Sequence, residues 1–129
     1  MSASIEVTID AVDADPIASF WESALGYERL YERGPYIVLG PPPGDERPRL
    51  VIQRVDTVTS DKTPVHMDLR VDDPDAEVAR LQALGASIGW VVDETDAGFI
   101  RWTTMADPQG MLFCVCPARK ERPVDGSGP

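Results

Sequence analysis

The feature that most constrains this chain is an internal repeat. Residues 5–27, IEVTIDAVDADPIASFWESALGY, and residues 65–87, VHMDLRVDDPDAEVARLQALGAS, each contain an alternating strand, an acidic turn, an amphipathic helix and an Ala-Leu-Gly stop. Glu6 aligns with His66 at an offset of 60 residues. Self-similarity at a fixed spacing indicates a duplicated structural unit. The sequence therefore predicts two copies of one unit within 129 residues.

Both helices of the repeat begin and end with the same residue types. Asp15-Pro16 and Asp73-Pro74 place an N-cap acceptor before a proline at the first helical position. Gly26 and Gly85 follow the last leucine of each helix, where a left-handed glycine commonly ends a helix. The helical period then predicts buried stripes formed by Ile17, Phe20, Trp21 and Ala24 and by Val78, Leu81 and Leu84.

Strand-rich sequence follows each helix. The predicted strands are Glu28–Tyr31, Tyr36–Leu39 and Leu50–Val55 in the first copy and Ser87–Asp93, Phe99–Met105 and Met111–Cys116 in the second. We therefore predict an α+β fold of two tandem βαβββ modules, residues 4–56 and 64–117, within one domain that spans residues 1–117. The low apolar content of residues 118–129 predicts a flexible tail.

The charge and the apolar pattern exclude several classes of protein. The net charge is −10, whereas phosphate binding needs clustered Lys and Arg, so no nucleic acid partner is expected. No apolar run is long enough to cross a bilayer, and the N-terminal residues lack the basic and apolar stretches of a signal peptide. Cys114 and Cys116 are too few for a disulfide framework, and reduced thiols are the simplest interpretation. We therefore expect a cytoplasmic protein without membrane partners.

Strand alternation separates polar from apolar faces. Two polar rows result, Glu6, Thr8 and Asp10 on the first strand and His66, Asp68 and Arg70 on the fifth. The apolar faces should pack against the helices, so the polar rows must line solvent or a wet cavity. The carboxylates with the arginine could orient a ligand or transfer a proton, or they could be solvated ion pairs.

The closing hairpin is assigned to a face by its turn. If Asp107–Gly110 is a four-residue loop, Thr103 lies opposite Cys114 and Arg101 lies opposite Cys116. Trp102 then falls on the helix side of the sheet. A bulge would reverse this assignment. The predicted ligand-binding residues are accordingly Asp10, Asp68, Arg70, Arg101, Thr103 and Cys114.

The repeat, together with the closing stretch ADPQGMLFCVC, resembles the vicinal oxygen chelate superfamily, also called the glyoxalase/bleomycin-resistance/dioxygenase superfamily. The resemblance covers roughly residues 4–117 and is greatest for the glyoxalase-like branch of single-domain bacterial proteins. It implies that the modules form facing curved mixed sheets around a cleft. It also implies a homodimer, which would cover exposed sheet edges.

The resemblance also implies where a metal would bind. Members with metal take ligands from the first and last strands of each half, usually His, Gln or Glu at the openings and Glu on the closing strands. Here those positions hold Glu6, His66 and Cys114, with Gln53 as the nearest candidate on the remaining strand. We expect His66 and Glu6 to be catalytic residues of a pocket without a tightly held metal or other cofactor. A divalent metal, if bound, would use Glu6, His66 and Cys114.

Structural explanations remain open for single residues of this set, and three functions remain open for the chain. His66 could be a structural histidine and Cys114 a small buried hydrophobe.

The favoured function is a small-molecule-binding protein centred on His66 and Glu6. The alternatives are a metal-dependent lyase, isomerase or dioxygenase acting on a small oxygenated substrate, and a drug-sequestering protein of the bleomycin-resistance type. Acidic charge and aromatic residues would suit a cationic drug, the aromatic residues being Trp90, Trp102, Tyr27, Tyr31 and Tyr36.

Overall fold

The order of helices and strands repeats once along the chain. The computed structural model describes residues 3–57 and 64–119. The first copy comprises β1 (Ser4–Ala11), α1 (Ala14–Leu25), β2 (Glu28–Arg33), β3 (Tyr36–Gly40) and β4 (Leu50–Arg54). The second comprises β5 (Val65–Val71), α2 (Pro74–Ala83), β6 (Ser87–Asp93), β7 (Arg101–Ala106) and β8 (Leu112–Pro117), with a 3-10 turn at Thr95–Ala97. The predicted α+β class and the predicted order of elements are confirmed.

We call β1 to β4 with α1 the first module and β5 to β8 with α2 the second module. The chain divides into two compact units whose boundary falls inside β5, between His66 and Met67. The predicted cleft between two facing sheets stays a prediction. Most of the predicted flexible tail, residues 118–129, lies outside the described residues. No helix in the described part of the chain has the length and apolar character needed to cross a membrane.

The sheet of the first module has the strand order β2-β3-β4-β1. β1 runs parallel to β4, which places Ile9 opposite Ile52, and the other neighbouring strands are antiparallel. One face of this sheet packs against α1, around Ile37, Leu39 and Ile52. The opposite face carries the polar row of β1, as strand alternation predicts.

The buried stripe of α1 differs from the one predicted. Ala14 and Ala18 are buried and Trp21 packs against the core, whereas Phe20 is 60% exposed and Ile17 is also exposed. The stripe is therefore rotated by part of a turn toward the alanines. The periodicity of large apolar residues missed this, because small alanines allow a helix to lie close to a sheet.

α1 also begins earlier than its Asp-Pro pair predicts. Asp13 occupies the N-cap position without a side-chain capping hydrogen bond. Asp15 lies instead in the first turn, where Arg29 and Arg54 donate to its carboxylate at 3.0 and 3.2 Å. These hydrogen bonds, the one from Arg29 above all, hold the pKa of Asp15 below its usual value. Asp15 is therefore part of a surface ion-pair group and not a helix cap.

The second module has the strand order β5-β8-β7-β6, and its core is formed by Val71, Val78, Met105, Phe113 and Val115. The predicted start of α2 is confirmed, because the Asp73 carboxylate accepts a hydrogen bond from Ala76 N at 3.1 Å and a proline follows at the first helical position. Of the predicted stripe, Val78 is buried and Leu81 partly buried. Leu84 is exposed and occupies the C-cap position, immediately after the last residue of the helix.

Candidate functional site

A polar face extends across the sheet of the second module. β5 and β8 run parallel, and their register places Asp68 opposite Cys114 and Arg70 opposite Cys116. The intervening residues Leu69 and Val71 pack toward α2 in the core. Alternation therefore directs the polar row of β5 and the two thiols of β8 to the face that α2 does not cover. We call this surface the polar face.

Three donor groups converge on the polar face. The ligand atoms of His66, Asp68 and Cys114 all lie within 4.8 Å of one another. Asp68 is 7% exposed and Cys114 is 8% exposed, whereas His66 is only partly buried. The Thr104 hydroxyl lies 3.6 Å from the Cys114 sulfur and is positioned to hydrogen-bond with it. We call His66, Asp68 and Cys114 the His66 cluster, in which His66 alone is partly exposed to solvent.

Arg70 and Cys116 form the next cross-strand pair of the polar face. Arg70 Nη1 donates to the Pro117 carbonyl oxygen at 3.2 Å, which fastens the end of β8 to β5. Cys116 is buried, and neither Cys116 nor Cys114 forms a disulfide bond. Cys116 does not belong to the His66 cluster among the described residues. The ligand-binding role of Arg70 stays a prediction, and its observed contact is structural.

The predicted register of the closing hairpin is wrong by one residue. Asp107 N donates to the Met111 carbonyl oxygen at 2.9 Å, and the Asp107 carboxylate accepts from the backbone of Gln109 and Met111. The loop therefore includes Met111, so that Ala106 pairs with Leu112. The side chain of Asp107 ties the loop together and accommodates the additional residue.

This register moves two predicted ligand-binding residues to the other face. Thr104, not Thr103, lies opposite Cys114, and Thr103 lies opposite the core residue Val115. Arg101 is on the same side as Thr103, and its guanidinium lies 3.7 Å from the carboxylate of Asp75 on α2. A shift of one residue reverses every side chain of a strand. The assignment of Arg101 and Thr103 to the polar face is therefore wrong.

Two tryptophans lie on the polar face, Trp102 because of this register and Trp90 because of the pairing of β6 with β7. Trp102 alternates with Thr103 and therefore shares the face of Thr104, contrary to the prediction that places it on the helix side. In β6 a bulge at Gly89 sets Trp90 opposite Thr104, and Trp90 is 45% exposed. The sequence signal that could have located Trp102 is the Asp107 side chain, whose backbone hydrogen bonds favour the longer loop.

The first module offers a different set of residues. Glu6 and Thr8 are buried, and both lie on the face opposite the α1 core. Thr8 pairs with Val51 in β4, just as its repeat counterpart Asp68 pairs with Cys114. The position that corresponds to Cys114 is therefore Val51 and not Gln53. An apolar residue stands where the first closing strand would supply a donor.

A depression of about 560 Å³ lies where β1 ends and α1 begins, and Val65 of β5 also lines it. Its lining is mainly apolar and includes Ala11, Ile17 and Trp21. Asp10, a predicted ligand-binding residue, contributes to this lining and pairs with Gln53 in the sheet. Asp10 is therefore placed beside an open depression, and its ligand-binding role stays a prediction.

The donor chemistry of the His66 cluster fits a divalent metal of the zinc class. Imidazole, carboxylate and thiolate all bind Zn²⁺, and catalytic zinc sites commonly use three protein ligands. The carboxylate that converges with His66 and Cys114 is Asp68, whereas the sequence-based set contains Glu6. We expected no tightly held metal because the motif positions offer only Glu6, His66 and Cys114 as ligands. Asp68 is not at a motif position and was therefore not among the expected ligands.

Comparison with known proteins gives one family match and a group of similar solved structures. Residues 6–116 match the family model of the glyoxalase-like domain. The fold is similar to a glyoxalase/bleomycin resistance protein/dioxygenase superfamily member from Vibrio splendidus 12B01, with 18% identity and a TM-score of 0.61 over 90% of this chain and 99% of that one. It is similar to methylmalonyl-CoA epimerase from Mycobacterium tuberculosis, with 19% identity and a TM-score of 0.67 over 92% and 88% of the two chains.

A third similar structure is the Mn(II)-bound glyoxalase from Novosphingobium aromaticivorans, with 18% identity and a TM-score of 0.53 over 94% of this chain and 41% of that one. No curated protein matches the sequence significantly. Identities this low establish a shared fold and no shared reaction. The family model, in contrast, spans both modules and most of the chain. The chain therefore belongs to the glyoxalase-like domain family.

Proposed function

We propose that this protein binds a small oxygenated molecule on the polar face of the second module, at the His66 cluster. The observation that carries the proposal is the convergence of imidazole, carboxylate and thiol within 4.8 Å on two neighbouring strands. Desolvating a carboxylate is costly, and such groups are gathered at functional sites more often than elsewhere. The partly open His66 side gives a ligand access to the cluster.

The three groups have distinct roles in such a site. His66 is the sole histidine of the chain and the group whose ordinary pKa lies closest to neutrality, so it is suited to exchange a proton with a ligand hydroxyl. Asp68 supplies negative charge beside it and favours a proton donor on the ligand. Cys114 would be oriented by the Thr104 hydroxyl, which lies 3.6 Å from its sulfur.

The two tryptophans would form the wall of the same site. Trp90 and Trp102 are diagonal neighbours on β6 and β7, because Trp90 opposes Thr104 and Trp102 is two residues from Thr104. Ligand sites typically combine aromatic surface with a few converging polar groups. A planar ligand with two adjacent oxygen atoms would stack on the tryptophans and direct the oxygens toward His66.

Three further parts of the proposal rest on the sequence. Glu6 is proposed as a second catalytic group because of its motif position, and its side chain is buried on the polar side of β1. A homodimer is proposed because the superfamily resemblance implies one. A cytoplasmic location is proposed because Cys114 and Cys116 are buried on one strand and form no disulfide bond. Sedimentation and cell fractionation test the last two.

Ligand binding is tested with catechol and oxalate as probes, in buffer containing EDTA. Tryptophan fluorescence and the thermal midpoint are measured for the wild type, for His66→Gln and for Gln82→Ala, a control at an exposed helix position. We expect at least one probe to change both signals in the wild type and in the control but not in His66→Gln. Equal responses of His66→Gln and the wild type would contradict the proposed site.

A second candidate function is favoured by the position of Trp102. With Trp102 on the polar face, two tryptophans and Asp68 could hold a planar cation, as a drug-sequestering protein would. Ethidium is the probe for this function. Binding of ethidium that is weakened by Trp102→Leu and by Asp68→Asn, with no response to catechol or oxalate, would favour sequestration over recognition of an oxygenated ligand.

The donor set also favours a metal-dependent enzyme as an alternative. A divalent metal bound there would polarise an oxygenated substrate as a Lewis acid, which would serve a lyase or isomerase reaction, whereas a dioxygenase reaction would need a redox-active ion such as iron. His66, Asp68 and Cys114 would hold the ion, and Thr104 would orient the thiol. Turnover that depends on added metal and is abolished in Asp68→Asn would place the protein in this class.

A further inference from the structure

We propose that the His66 cluster is a thiolate-containing metal site that prefers Zn²⁺-class ions to Mn²⁺ and Mg²⁺ and keeps one coordination position open. This proposal deepens the proposed function, since it rests on the same cluster as the small-molecule site. It differs from the metal set that the sequence predicts, because its carboxylate is Asp68 and all three ligands lie on β5 and β8.

The geometry needs little change to hold an ion. The three ligand atoms lie within 4.8 Å of one another. Around a tetrahedral zinc with ordinary bond lengths, ligand atoms are separated by about 3.5 Å. The parallel pairing of Asp68 with Cys114 fixes the backbone positions of these two ligands. Rotation of the side chains would therefore bring the ligand atoms to the distances that zinc needs. Two strands that are hydrogen-bonded together form a rigid scaffold for such a site.

The charge of the cluster matches a divalent cation. The Asp68 carboxylate and the Cys114 thiolate together carry two negative charges, and neutral His66 adds none. When the ion binds, the thiol proton leaves to solvent and a metal–sulfur bond forms, so that charge is balanced within the site. Asp68 and Cys114 are almost buried, where attraction between an anionic ligand and a bound cation is stronger than in water.

The thiol decides which metals are preferred. Thiolate ligands favour Zn²⁺ and softer ions, whereas carboxylate, carbonyl and water ligands suit Mg²⁺ and Mn²⁺. Thr104 Oγ1, 3.6 Å from Cys114 Sγ, is placed to orient the sulfur and stabilise its charge. Three protein ligands leave the fourth tetrahedral position for water or a ligand oxygen, as in catalytic zinc sites.

Cobalt substitution tests the site without any activity assay. The full-length protein is stripped with EDTA and titrated with Co²⁺ while the near-ultraviolet sulfur-to-cobalt charge-transfer band is recorded. We expect one Co²⁺ per chain with this band in the wild type. Acetohydroxamate, a bidentate oxygen ligand, should then change the visible cobalt spectrum through the open position. A wild type that binds no Co²⁺, or binds it without the sulfur band, would overturn the proposal even if no variant folds.

Matched variants identify the sulfur. Cys114→Ser should abolish the band and weaken Co²⁺ binding more than about 100-fold, while Thr104→Val should weaken it by about 10-fold to 100-fold. Cys116→Ser is the control, because Cys116 is a buried thiol on the same strand and the same face but outside the cluster. Loss of the band in Cys116→Ser with retention in Cys114→Ser would overturn the proposal. Circular dichroism establishes that each variant is folded.

A test of metal preference requires a comparison between variants, because most protein sites bind Zn²⁺ more tightly than Mn²⁺ whatever their ligands. The ratio of Zn²⁺ to Mn²⁺ affinity is therefore measured in the wild type and in Cys114→Asp. We expect the ratio to fall at least 10-fold in the variant, and an unchanged ratio would contradict selection by the thiol. Probe binding in EDTA separates the two proposals: catechol binding that survives without any metal uptake leaves the small-molecule site standing and removes the metal site.

Discussion

The placement of α1 gives a prediction whose size can be worked out from the structure. The stripe predicted from large apolar residues would make Phe20→Ala cost about 3–5 kcal/mol, the usual price of a buried phenylalanine. In the structure Phe20 is 60% exposed, so only part of the roughly 1.5–3 kcal/mol of full burial is at stake. The edge-on contact with Trp21, at a ring distance of 5.1 Å, adds about 0.5–1.5 kcal/mol.

Two further considerations set the expected result. Alanine has a higher helix propensity than phenylalanine, which stabilises the variant by about 0.5 kcal/mol at an exposed helix position and offsets part of the loss. The net cost of Phe20→Ala should therefore be about 1 kcal/mol, whereas Ile52→Ala should cost about 2–5 kcal/mol because Ile52 is fully buried in a paired strand. Gln82→Ala, at an exposed position of α2, should cost less than about 0.5 kcal/mol.

Urea denaturation of the three variants at one protein concentration measures these differences. If the denaturant slopes agree with that of the wild type, shifts of the midpoint report changes in the free energy of unfolding. Ile52→Ala should move the midpoint furthest and Gln82→Ala least. A midpoint for Phe20→Ala as low as that of Ile52→Ala would refute the exposed position of Phe20. The packing of α1 through its alanines would then have to be abandoned.

Three other outcomes are expected. Tyr27→Phe should lower the free energy of unfolding by about 1 kcal/mol in urea denaturation, because it removes the 2.6 Å hydrogen bond from the Tyr27 hydroxyl to the Pro48 carbonyl oxygen. Arg80 lowers the pKa of Glu77 through a side-chain hydrogen bond, so this pair stabilises the protein above the ordinary carboxyl pKa and ceases to do so as the pH falls through the lowered value. Glu77→Gln should accordingly reduce thermal stability at pH 7, and the difference from the wild type should disappear in acid. Sedimentation at micromolar concentration should give about twice the 14.1 kDa chain mass, and a monomer would contradict the proposed homodimer.

Local chemistry made much of the fold predictable from the sequence. Asp73 was identifiable as an N-cap because its carboxylate needs only the adjacent backbone amides, and the structure has that hydrogen bond. Gly26 ends α1 with a φ of 68°, a conformation that glycine adopts without steric cost. Strand alternation likewise placed His66 and Asp68 on one face. These features depend on residues close together in the chain, and together they defined the two modules.

The sequence by itself thus determined the duplicated α+β modules, the family resemblance and His66 as a candidate centre, since each follows from local spacing. Only the tertiary structure decided which residues join His66. The loop from Asp107 to Met111 sets the register of β7 against β8, and one additional loop residue exchanges Thr103 for Thr104 opposite Cys114. Pairing between strands is a non-local contact, and its register reverses faces with a shift of one residue. The meeting of Asp68 with Cys114 depends on the same kind of contact, which no spacing along the chain specifies.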